Sequence, residues 1–119
     1  MPRTLLVAVL RLCVQTALGH ALLASAAIAE PRPPPAAVAA GRQKFVQCAS
    51  CHGADGRATV MANYPKIGGQ NPEYVVSALK AYRDRRRLGT NAALMSEVAR
   101  PLTDEDIANL AAYIQTLVP

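Results

Sequence analysis

Apolar residues recur every three to four positions in the second half of the chain. Tyr74, Val75, Ala78, Leu79 and Tyr82 form one such stripe, and Ile107, Leu110, Ala111, Ile114 and Leu117 form another. That period belongs to helices with one buried face. The first stripe has its start at Asn71, an N-cap residue type, followed by Pro72 at the first helical position. The second follows Thr103-Asp104-Glu105-Asp106, a capping-box pattern whose acids also oppose the positive end of the helix dipole. An earlier helix is predicted over about Ala37 to Gln47, with Val38, Phe45 and Val46 as its larger apolar residues and Gly41 and Phe45 four apart on one face. The segments Gly53 to Gln70 and Leu88 to Leu102 read as loops, long ones for so short a chain. No strand-like alternation exceeds four residues, and the predicted fold class is all-α.

The N-terminus follows a different pattern. Arg3 and Arg11 precede the largely apolar stretch Leu12 to Ala29, which ends in Ala27-Ile28-Ala29. This is the form of an export signal cut before Glu30. Gln15, Gly19 and His20 interrupt the stretch, leaving it short of the ~20 apolar residues of a membrane span. Residues 30–36, rich in proline, read as an extended tether, because proline fixes φ and lacks an N–H. The domain is then assigned to residues 37–119.

Removing residues 1–29 leaves 90 of the 119 residues, a size at which a core alone is marginal. With four Tyr, one Phe and no Trp, large side chains are scarce. A bound apolar group would supply the missing interior. The net charge of +5 becomes +3 once Arg3 and Arg11 go, and no aromatic interleaving or binding motif accompanies the positive residues. Nucleic acid is therefore not an expected partner.

Cleavage also discards Cys13, so Cys48 and Cys51 are the only cysteines of the mature chain and His52 its only histidine. Together they spell Cys48-Ala49-Ser50-Cys51-His52, the Cys-x-x-Cys-His signature of c-type haem attachment. Two thiols three positions apart near a helix end reach the two vinyl groups on one porphyrin edge, and the following imidazole turns under the iron. A structural zinc site would need two more ligands. A thioredoxin-like pair would be expected beside a βαβ pattern, and a disulfide across two residues closes too small a loop to stabilise much. One covalent haem c is the expected cofactor, with Cys48 and Cys51 binding it and His52 on the iron.

A sixth ligand has to come from a residue other than histidine, and a thioether is a frequent partner in haem proteins of this kind. Met61 is only nine residues beyond His52, whereas Met95 follows a complete predicted helix and can reach the opposite face. Met95 is the candidate ligand, on the premise that it sits in a loop after Gly89-Thr90-Asn91; ordinary packing is the competing reading.

These residues resemble class I cytochromes c, especially small bacterial periplasmic carriers and single domains of the two-haem periplasmic type. The likeness spans about Ala40 to Leu117 and rests on three segments. They are Gly41 to Gly56 with the haem motif, Tyr64-Pro65-Lys66-Ile67-Gly68-Gly69-Gln70, and Met95 with Leu102-Thr103-Asp104-Glu105-Asp106-Ile107 and Leu110-Ala111-Ala112-Tyr113. The resemblance implies three to five helices wrapped around one haem, with the first and last crossing where Gly41 and Phe45 meet Leu110 and Tyr113. It also implies that Pro65 offers its carbonyl to the ring N–H of His52; a plain turn proline is the alternative.

The expected function is one-electron transfer by a periplasmic carrier that transforms no substrate and so is no enzyme. Its partners would be redox proteins met transiently, and any membrane association would run through them. The chain is expected as a monomer, or alternatively as the haem subunit of a larger periplasmic oxidoreductase. The run Arg83-Asp84-Arg85-Arg86-Arg87 reads as a solvated helix end, as a docking patch for an acidic partner, or as the source of one arginine for a haem propionate.

Overall fold

The computed structural model describes residues 31–117. The export signal predicted over residues 1–29 lies outside them. Four helices follow in order: α1 (Pro35–His52), α2 (Pro72–Arg83), α3 (Ala92–Ala99) and α4 (Asp104–Ile114). There is no strand among the described residues.

Helix α1 is longer at both ends than its apolar pattern predicts. Pro35 occupies its first turn, where a missing N–H costs nothing, so Pro35 and Ala36 belong to the helix and not to the tether. At the other end the helix runs on through the whole Cys-x-x-Cys-His motif and stops at Gly53, whose φ of 84° suits glycine. The Gly53 N–H donates to the Ala49 carbonyl at 2.9 Å. A Cβ at Gly53 would stand 2.6 Å from the Ala58 carbonyl oxygen, so the chain can leave the helix this tightly only without a side chain.

The other two predicted starts are formed as their residues dictate. Asn71 Oδ1 accepts from the Tyr74 N–H at 2.9 Å. Thr103 and Asp106 exchange reciprocal bonds of 3.0 Å each, completing the capping box of α4.

Helix α3 corrects the sequence reading, which assigned its residues to a loop. Asn91 provides no side-chain cap, and the helix has no acid in its first turn and no base in its last. Eight residues are too few to hold a helix in isolation. Packing on α2 supplies the stability, with Ala92, Ser96 and Ala99 buried. Met95 is therefore a helical residue, and the premise that it lies in an irregular loop fails.

Helix α4 is the centre of the packing, touching both α1 and α2. Ile107 and Leu110 are completely enclosed. Where α1 meets α4, Gly41 lies against the Asn109 carbonyl with no room for a Cβ, and Phe45 sets its ring edge-on to Tyr113 at 5.2 Å. Lys44 spans the same joint to Asp106 at 2.9 Å. Helices α1 and α3 do not pack on each other, although each borders the same cleft.

Candidate haem site

Residues 53–70 set the first wall of that cleft. Asp55 Oδ1 accepts from the Arg57 and Ala58 N–H groups at 2.8 Å each, and these bonds hold its carboxyl below the usual carboxylate range. The Gly56 carbonyl accepts from Ile67 and Gly68 at 2.7 and 3.0 Å, while the Gly69 N–H reaches the Ile114 carbonyl at 2.9 Å. A loop tied at so many points places the Pro65 carbonyl, which sits 2.8 Å from His52 Nδ1.

A carbonyl oxygen only accepts, so His52 carries its proton on Nδ1. That leaves the Nε2 lone pair free for a metal. His52 is buried and lines the cleft. Its Nε2 has no hydrogen-bond partner among the described residues.

Cys48 and Cys51 line the cleft as free thiols from the last turns of α1. Burial, with a smaller contribution from Cys51, pushes the Cys48 thiol up to about 11. The same burial disfavours a free thiolate at Cys48. Among the described residues no group of three or more His, Cys, Asp or Glu is placed to hold a metal ion. A neutral thioether suits the same surroundings without penalty.

The remaining walls are apolar. Val75, Ala78 and Leu79 of α2, Val98 of α3 and Leu110 and Ile114 of α4 face the cleft. The α2 stripe that reads in the sequence as a core face thus serves largely as a cleft wall. Tyr64 also lines it, its ring 6.4 Å from that of His52. Hydropathy alone does not distinguish a residue facing a bound macrocycle from one facing protein.

Met95 enters the cleft from α3. Met61, by contrast, is 51 % exposed and is not among the cleft-lining residues. The cleft therefore brings Cys48, Cys51, His52, Pro65 and Met95 together and leaves Met61 out. A macrocycle fits this arrangement: two thiols and an imidazole from one helix, a thioether from another that does not pack on it, and hydrocarbon walls.

Comparison with known proteins agrees. The cytochrome c family profile matches residues 38–118. Cytochrome c-554(548) of Halomonas halodenitrificans is 51 % identical over 75 residues, covering 63 % of this chain and 89 % of that protein. The thiosulfate dehydrogenase electron acceptor of Thiomonas intermedia is 35 % identical over 85 residues, 71 % of this chain but only 38 % of that protein. Reduced recombinant cytochrome c4 from Pseudomonas stutzeri superposes with a TM-score of 0.62 at 32 % identity, covering 69 % of this chain and 48 % of that one. The chain has the cytochrome c fold and belongs to the cytochrome c family, whose covalently bound haem c makes it an electron-transfer protein.

Proposed function

We propose that the chain is an exported, periplasmic one-electron carrier in which His52 and Met95 are the axial ligands of the iron. The observation that carries this reading is the cleft between α1 and α3: the two helices share no packing, yet each contributes one metal-competent side chain to the same apolar space. Bound haem supplies a ferrous/ferric couple.

The protein's own part is to bind, orient and exclude water. Pro65 fixes the tautomer and ring angle of His52 and raises its basicity through the Nδ1–H bond. The Met95 thioether is a neutral, soft donor that favours the reduced state, and the hydrocarbon walls act in the same direction by disfavouring net charge. His52 and Met95, fixed on separate packed helices, would hold the group with little rearrangement of the protein between oxidation states. Export is supported by the Arg3, Arg11 and Ala27-Ile28-Ala29 pattern. Among the described residues no helix is long and apolar enough to cross a membrane.

The test is the oxidised absorption spectrum of the wild type beside Met95→Ala. The weak far-red sulfur-to-iron band is expected in the first and absent from the second; its persistence in the variant rejects Met95.

A second reading, that the chain is the haem subunit of a larger oxidoreductase, is favoured by the relative from Thiomonas intermedia, named as an electron acceptor of thiosulfate dehydrogenase. A free carrier migrates alone at its own mass in native extract, whereas a subunit copurifies with a catalytic chain.

A further inference from the structure

The arginine run is sorted by the fold. Arg83 reaches Asp104 at 2.8 Å and the Leu102 carbonyl at 3.1 Å. Arg85 pairs with Glu97 and Arg86 with Asp84, both at 2.9 Å. These three are neutralised on the protein itself, which leaves little of a uniform positive docking patch.

Arg87 differs. It has no carboxylate partner among the described residues, and it lines the cleft. Its guanidinium carbon lies 4.9 Å from the Tyr82 ring centroid and 5.8 Å from that of Tyr74, and Nη2 donates to the Tyr74 hydroxyl at 3.2 Å. Two aromatic faces and one hydroxyl thus brace a half-buried cation, with donors of the fork left over. The cleft lining holds Arg87 and Lys66 but no Asp or Glu. A half-buried guanidinium beside apolar walls is stabilised by an anion, and the cleft lining offers no carboxylate.

We infer that Arg87 receives a carboxylate arm of the bound macrocycle and thereby raises its reduction potential, with Tyr74 and Tyr82 as positioning residues. The inference rests on the haem-carrier reading above. A positive charge in the cleft wall favours the less positive ferrous state, and without it the carboxylate remains as an uncompensated negative charge that favours the ferric state. A carboxylate on a docking protein presents the same chemistry, but a group already fixed in the cleft has priority over one that arrives only transiently.

The experiment is an optical redox titration of the haem-loaded protein and its Arg87→Gln variant at one pH and ionic strength. At the ambient potential that half-reduces the wild type, the reduced-to-oxidised ratio of Arg87→Gln is expected to fall about tenfold, equivalent to about 59 mV for a one-electron couple. An unchanged ratio in a variant with an intact haem spectrum overturns the inference. So does an unchanged ratio accompanied by lost salt dependence of electron transfer to a partner, which would assign Arg87 to docking. Should Arg87→Gln not accumulate, Tyr74→Phe, which keeps the ring and removes the hydroxyl, is expected to lower the ratio in the same direction by a smaller factor; no change there is equally fatal. A wild type without the haem spectrum or the sulfur-to-iron band would sink the carrier reading itself, a result separable from any outcome at Arg87.

Discussion

Replacing Gly41 with alanine tests how the α1–α4 joint is built. The new Cβ would fall inside the van der Waals surface of the Asn109 carbonyl and 2.8 Å from Tyr113 Cβ. Overpacking a tight contact costs about 1–3 kcal/mol, and the upper half of that range applies because the obstacle is backbone, which cannot rotate away. Alanine's better helix propensity returns about 1 kcal/mol. The net loss is about 1–2 kcal/mol, which for a domain this size lowers Tm by roughly 5–15 °C. Thermal melts of the haem-loaded protein followed by far-UV circular dichroism measure it directly. An unchanged or higher Tm would refute the close approach, because propensity alone would then account for the result.

Other consequences are as specific. Thr103→Ala removes the Oγ1 cap and leaves the Asp106 N–H without its acceptor, at a cost of about 1 kcal/mol in urea denaturation. Arg85 holds a φ of 56°, a left-handed conformation that suits glycine, and its pairing with Glu97 is exposed. Arg85→Gly is therefore expected to stabilise by about 0.5 kcal/mol, read as a higher urea midpoint. Asp104 is held below the usual carboxylate range by Lys80 and Arg83, and Asp106 by the Thr103 backbone and Lys44. Because the folded values are lowered, their contribution is complete above the unfolded pKa of about 3.9 and disappears as the pH falls through the folded values. Asp106→Asn should flatten the acid limb of a stability-versus-pH curve; an unaltered limb contradicts the assignment.

The parts of the fold legible in the sequence are those written in local chemistry. Asn71-Pro72 and Thr103-Asp104-Glu105-Asp106 fix two helix starts because the side chains that cap them are adjacent in the chain. The haem motif is legible for the same reason. Helix α3 is not, since Gly89-Thr90-Asn91 reads as a turn and no cap or charge marks the ends of an eight-residue segment held by its contacts with α2. Its run of Ala92, Ala93, Leu94 and Met95 was the one available signal, a cluster of strong helix formers. Met95 consequently remains the candidate ligand on different grounds: it faces the cleft from a packed helix. Which arginine of the run stands apart is not legible in the sequence, because neighbouring arginines look alike until distances separate those with a carboxylate from the one without.

Electron transfer by this chain depends on a macrocycle bonded to Cys48 and Cys51. The most direct measurement is the intact mass, under denaturing conditions, of the mature protein made where haem-attachment machinery operates. The mass of the polypeptide from Glu30 plus one haem is expected, together with retained colour. A colourless chain at the bare polypeptide mass would contradict it.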